Sequence, residues 1–302
     1  MTRWTVAGLV VVGLAGCGSG ATGGGSGDPG IPSVKEAKDI PELPLDRYEF
    51  SHRDSRRHTE AQARMTQRCM RKLGFEDFPL YPGQQKMASS YSLIAVAMTS
   101  YPYGQLDLDS ARRWGYGWDP KRSFTDPARP KGRAMTDDEY EAMHEMSRKP
   151  GERGGCVSSG ADRLSEGVRN KTRMWTYASE RSQAVDKAVI KDEQVRKALA
   201  TWSACLESKG IKHYKTPEDA FRDKAWSRGN DHGGNTGRTE KERATATADV
   251  ECKREHNTAG VWWAVREEKQ RADVARHKDV YDAVRADQER LRANVKQVLA
   301  EK

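Results

Sequence analysis

The sequence predicts a mainly α-helical fold: a long antiparallel helical hairpin with short helices and irregular loops, stapled by disulfides. Three observations predict it. Apolar residues recur at helical spacing from about residue 51 onward. A segment from 239 to 302 contains no proline and a single glycine, Gly260. Five cysteines are present, and setting aside Cys17 leaves Cys69, Cys156, Cys205 and Cys252, an even number that favours two disulfides in an exported chain.

The N-terminal region comes first. Arg3 precedes an apolar run over residues 6–14, too short for a transmembrane helix, which needs ~20 residues. A positive start, a short apolar stretch and small residues read as a secretory signal over 1–16. The run ends in Leu14-Ala15-Gly16-Cys17. This tetrapeptide resembles the bacterial lipobox, in which the cysteine takes a diacylglycerol and becomes the first residue of the mature chain. The expected anchor is therefore a lipid on Cys17, holding the protein on the extracytoplasmic face of the cell membrane. The glycine- and serine-rich tract that follows cannot bury a core. It continues through Pro29, Pro32, Pro41 and Pro44 as an expected flexible tether over 17–50. Within that tether, Leu43, Leu45, Tyr48 and Phe50 are candidates to dock on the domain surface. Gly18-x-Gly20-x-x-Gly23 matches a dinucleotide fingerprint in letters only, because no strand precedes it and no helix follows.

From residue 51 to 302 the pattern is one α-helical domain. Ala61, Met65, Cys69 and Leu73 form a four-residue repeat stopped by Gly74. Residues 75–135 carry many prolines and should be irregular with short helices, packed by Trp114, Tyr116 and Trp118. Their apolar run "SLIAVAMTS" is ambiguous between helix and strand. Thr136 and Glu139 form a capping box, as do Thr239 and Glu242. Val195, Leu199, Trp202 and Leu206 make one stripe ended by Gly210, and Thr216-Pro217 opens another helix.

The final segment has a heptad seam of Val274, Tyr281, Gln288 and Val295 beside His277, Val284, Leu291 and Val298. Such repeats mark a helix packed on another helix, coiled-coil fashion. Its expected partner is 163–209, joined through a flexible hinge at 210–238. If Cys205 faces Cys252, that register sets Val195 against Trp262, Trp175 near Tyr281 and Val168 near Leu291.

An internal repeat divides the domain. "CMRKLGFEDF" and "CLESKGIKHY" each carry a cysteine, a glycine five residues later and an aromatic residue nine later, Phe78 or Tyr214. Two related units, 51–160 and 161–302, follow from this. Pairing Cys69 with Cys156 and Cys205 with Cys252 closes each unit on itself.

"PLDRYEF", "CMRKLGF", "RRWGYG", "RGGC", "WSACLESKGI" and "ADVECKREHNTAGVWWAVRE" resemble, in order and spacing, a family of actinobacterial secreted lipoproteins. The resemblance spans most of residues 43–300. It implies an envelope lipoprotein with paired cysteines and supplies no activity and no catalytic residues.

No catalytic, metal or cofactor constellation emerges from the sequence. His52, His58, His144, His213, His232, His256 and His277 never stand in His-Glu-x-x-His, and each reads as a solvated helix histidine. Cys-x-x-Cys spacing for zinc is absent. Asn230, Asp231 and Asn235 in "RGNDHGGNTGR" offer oxygens that suit calcium in principle, but one carboxylate is too few for a strong site. Lys and Arg number 52 against 44 Asp and Glu, a formal charge of +8. Part of the excess lies in 52–73, where Arg53, Arg56, Arg57, Arg64, Arg68, Arg71 and Lys72 face only Asp54 and Glu60. That segment suits anionic lipid heads or wall polymers; nucleic acid is the other reading of a basic chain, and export argues against it. The expectation is a non-catalytic binding or adaptor protein of the envelope, whose partner is another envelope protein or an anionic wall polymer. The alternative is a cell-wall hydrolase with an acid pair not visible in the spacing.

Overall fold

The structure, a computed structural model, describes residues 30–83, 106–119, 132–144, 154–227 and 235–301. Among these residues the regular structure is helical, apart from one isolated parallel bridge between Gly83 and Ala134. The helices are α1 (His52–Lys72), α2 (Leu108–Trp114), α3 (Asp137–His144), α4 (Cys156–Leu164), α5 (Lys171–Val189), α6 (Glu193–Ser208), α7 (Pro217–Phe221), α8 (Glu240–Glu255), α9 (Thr258–Arg276) and α10 (Lys278–Ala300). None is long and apolar enough to cross a membrane. Helix α1 packs on α4 and α10, α2 on α8, α5 on α9 and α10, and α6 on α8 and α9.

The starts and stops follow local chemistry. Ser51 caps α1 in a reciprocal box with Asp54, and Thr136 does the same for α3 with Glu139. Thr216 caps α7, with Pro217 at its first position. Thr239 caps α8, but Glu242 does not reach back to it. The Glu242 carboxylate instead accepts hydrogen bonds from the backbone N–H of Tyr116 at 2.9 Å and of Arg238 at 2.9 Å. The second capping box is thus half a cap and half a tertiary clamp on the chain that follows α2.

The expected pair of continuous helices is segmented. Asp192 caps a fresh helix after α5, and the second arm breaks at Asn257, in the left-handed region at φ 47°, and at His277. Gly260 causes no break. It sits inside α9 because a β-carbon there would lie 2.0 Å from the carbonyl oxygen of Pro32. Contacts between the arms run in opposite directions: Lys209 with Glu251 at 3.3 Å, Asp192 with Lys269 at 2.8 Å, Arg181 with Asp273 at 3.1 Å, and the Arg169 N–H with Asp287 at 3.0 Å. Val195 and Trp262 share one core, and Val168 and Leu291 another. Trp175 departs from expectation. Met174, Ala178, Val185 and Val189 form the buried face of α5, and Trp175, turned about 100° from Met174, is 46% exposed. Tyr281 meets Tyr177 and Tyr48 instead, with centroids 5.1 and 4.5 Å apart.

Two further expectations change. The tether does not extend to residue 50: Val34, Leu43, Leu45 and Tyr48 are buried, so residues 34–50 form a strap on the domain. Within the expected hinge, the described residues 210–227 are not free, for they contain α7 and a 3-10 turn (Lys224–Trp226) whose Trp226 is fully enclosed, while residues 228–234 lie outside the described residues. The heptad seam packs on other helices, as its spacing leads one to expect. Tyr281, Val284, Gln288, Leu291, Val295 and Val298 are buried, and α10 lies among α1, α4 and α5. The two units also interlock, since Arg68 near the end of α1 pairs with Glu301 at 2.6 Å.

Candidate functional site

Both disulfides join the cysteines that the repeat pairs. Cys69 is bonded to Cys156 and Cys205 to Cys252, with Cα atoms 5.5 and 5.8 Å apart. Each Cys-x4-Gly ends a helix in the same way. Phe75 N–H donates to the Met70 carbonyl and Ile211 N–H to the Leu206 carbonyl, while Gly74 and Gly210 adopt φ +95° and +75°. Phe78 and Tyr214 are then buried beneath each turn. The cysteines are therefore structural. Cys205 also lies near Glu255 and His256 in a metal-like grouping, but a disulfide sulfur has no thiolate to offer a metal.

The loop that suggested calcium is partly outside the described residues, including Asn230, Asp231 and His232. Asn235 is described and is already committed. Its Oδ1 accepts from the N–H groups of Trp118 and Thr236, both at 3.0 Å, and its amide donates to the Trp118 carbonyl at 2.8 Å. Cys17, its leader and "SLIAVAMTS" also lie outside the described residues.

The strap builds the concave surfaces. Asn257 holds its start, accepting from Val34 N–H at 3.0 Å and donating to the Pro32 carbonyl at 2.9 Å. Buried Gln270 accepts from Leu45 N–H at 3.0 Å, and buried Gln288 donates to the Tyr48 carbonyl at 2.6 Å. Satisfying these groups lets a segment whose regular structure is limited to two 3-10 turns, Ala37–Asp39 and Asp46–Tyr48, pack on helices. Phe50 then extends the strap onto Trp175, centroid to centroid 4.3 Å, and the His58 ring meets Trp175 edge-on at 5.4 Å. Burial lowers the pKa of His58, which favours the neutral ring.

Two hollows flank this aromatic cluster. The larger, about 680 Å³, lies between the strap, α5 and α9 and includes Glu49, Trp175, Asp186 and Arg266. Burial raises the carboxyls of Glu49 and Asp186 above their ordinary values. Asp186 is nonetheless tied to Arg266 by two bonds at 2.7 and 3.2 Å. Deeper in the same helix pair, burial acts to raise Asp273, and hydrogen bonds from Arg181 and Tyr281 overcome it and hold the carboxyl low. The smaller hollow, about 310 Å³, lies between α1 and α10. Arg53, Arg57, Arg292 and Lys296 line it against one carboxylate, Asp54, with Phe50 and His58 at its aromatic side. The Asp54 carboxylate accepts from the N–H and hydroxyl of Ser51, the cap of α1, and lies 3.4 Å from Arg292, whose guanidinium also stands over the Phe50 ring at 5.3 Å. Among the described residues, Arg53, Arg57 and Lys296 have no acidic partner within 4 Å.

The sequence reading singled out the basic first helix but missed Arg292 and Lys296. The signal available was spacing. Arg53 and Arg57 are four apart on α1, and Arg292 and Lys296 four apart on α10. Like charges at that spacing oppose helix formation by roughly 0.2–0.5 kcal/mol per pair, and here two such pairs face one hollow.

No family model, no curated protein and no solved structure matches this chain.

Proposed function

We propose that this is a lipid-anchored, extracytoplasmic protein of the cell envelope, with a non-catalytic binding or adaptor role. The observation that carries the reading is the Leu14-Ala15-Gly16-Cys17 lipobox at the end of a short apolar run. The two disulfides support it, because such bonds persist in oxidising compartments and leave Cys17 as the one cysteine outside them. The resemblance to actinobacterial lipoproteins points the same way. The binding role draws support from the strap, which spends its own polar groups on the domain and leaves an aromatic and basic surface facing outward. Replacing Cys17 with Ser tests the anchor by cell fractionation. The variant should leave the membrane pellet for the soluble fraction; a variant that stays in the pellet as before contradicts the anchor.

One observation favours a second reading, an envelope hydrolase. Glu49 and Asp186 line one hollow, and burial raises both, as a general acid requires. Against it, Asp186 is tied to Arg266 at 2.7 Å, and that pairing opposes the rise. Hydrolysis of wall glycan that disappears in Glu49→Gln while the fold persists would select this reading over the first.

A further inference from the structure

We propose that the hollow between α1 and α10 is a binding site for a phosphate ester carried on a sugar, as in an anionic wall polymer. The inference deepens the binding reading above, and for the source of the ligand it rests on that reading.

Charge is the first argument. Several cations elsewhere on the surface have acidic neighbours: Arg64 has Glu60, Arg68 has Glu301, Lys269 has Asp192, and Lys278 has Asp282. Around this hollow the balance fails. Four cations from two helices converge on a space that contributes one carboxylate, and that carboxylate is occupied by Ser51 and Arg292. The excess is matched by a phosphate ester, which carries −1 to −2 charge near neutral pH. Guanidinium groups present paired N–H donors that fit its oxygens.

Shape is the second argument. The hollow, at about 310 Å³, lies at the lower end of the range for small-ligand sites, so it suits one headgroup better than a broad flat surface. A bilayer would need cations spread over a plane, and these are gathered in a concavity. The third argument is the aromatic wall. Phe50 and His58 line the hollow, and both touch Trp175, which keeps 46% of its surface exposed. An exposed indole beside a basic hollow offers a face for the C–H side of a sugar ring while the arginines hold the phosphate.

The test is titration calorimetry on the full chain in detergent, with glucose 1-phosphate, inorganic phosphate and glucose as probes. Wild type should bind glucose 1-phosphate more tightly than inorganic phosphate and should not bind glucose. Arg57→Gln with Lys296→Gln should weaken both phosphate probes by about tenfold or more, as the loss of charge-assisted bonds requires. The melting temperature should hold, because both side chains lack acidic partners among the described residues. Trp175→Ala should weaken glucose 1-phosphate alone. Lys191→Gln, exposed and distant, serves as the control. Equal affinity for phosphate and glucose 1-phosphate, or affinity unchanged in the double variant, overturns the proposal. So does flotation with phosphatidylglycerol vesicles that the double variant abolishes while no soluble probe binds, which would make the site a lipid contact. Failure of the anchor is read separately, from fractionation of Cys17→Ser, and leaves these titrations unaffected.

Discussion

The two Cys-x4-Gly units use one local motif on different foundations. Their turns superpose in logic: the same carbonyl of the last helical turn is taken by the residue after a left-handed glycine, and an aromatic residue is buried beyond it. Their cores differ. In the second unit, Cys252 lies within α8 beside a buried polar network. Lys253 Nζ donates to Asp249 at 2.9 Å, Trp202 Nε1 donates to the other Asp249 oxygen at 3.0 Å, and Lys253 and Asp249 are 0% and 1% exposed. Burial lowers Lys253 and raises Asp249; their mutual pairing opposes both shifts, and hydrogen bonds from Trp202 and Tyr116 also oppose the rise of Asp249. In the first unit, Cys156 opens the short helix α4 and is packed by Met70, Phe78 and Met143. A polar anchor next to it is Gln62, which donates to the Val157 carbonyl at 2.8 Å. The lesson is that a helix-ending motif sets a turn, while the surrounding side chains decide how specifically the two cysteine segments are held.

The comparison can be broken most severely in the second unit. Lys253→Met leaves Asp249 buried without its cation and should destabilise the protein by about 3–5 kcal/mol. Adding Asp249→Asn should recover much of that loss. Urea denaturation of the single and double variants reads the difference, and equal stability of single and double would mean the pair is not a unit. A smaller, shared effect comes from the turns. Gly74→Ala and Gly210→Ala meet no neighbouring atom within 4 Å, so only the left-handed backbone resists the substitution. Each should cost roughly 1–2 kcal/mol, and the two costs should be alike. A large inequality in melting temperature would show that the turns are not equivalent.

The smallest effect at neutral pH is electrostatic and also shared. Arg133 holds Glu139 down to about 2 in the first unit. In the second, burial works to raise Asp223, and Lys212 and Tyr214 outweigh it to give about 2 as well. Both folded values are depressed, so both groups stabilise above the unfolded values near 4 and lose that contribution as pH falls towards 2. Acid titration followed by residue-resolved spectroscopy should show both units loosening in that one window. One unit loosening well above pH 4 would break the parallel.

Much of this was legible because it is local. Capping residues, Gly74, Gly210 and the four-residue stripes act within a turn or two, and the repeat carried enough information to pair the four cysteines. What was not legible is tertiary. Nothing in its spacing marks Asn257 as a left-handed break; it becomes one where its amide clamps Pro32 and Val34, more than 200 residues away. Glu242 looks like a cap and spends its carboxylate on Tyr116 and Arg238. Residues 34–50 look like a tether because they are rich in proline, and they dock because Gln270 and Gln288 satisfy their backbone. The basic hollow needed α1 and α10 to be brought together before four separate cations became one feature.

The proposed lipid anchor and the two disulfides that each close one unit can be tested together. Mass spectrometric peptide mapping, without reduction, of the protein extracted from its own membranes tests them most directly. The account predicts an N-terminal peptide beginning at Cys17 and bearing a diacylglycerol, with Cys69 linked to Cys156 and Cys205 linked to Cys252. An unmodified Cys17 within an uncleaved leader, free thiols, or a link from Cys69 to Cys205 would contradict it.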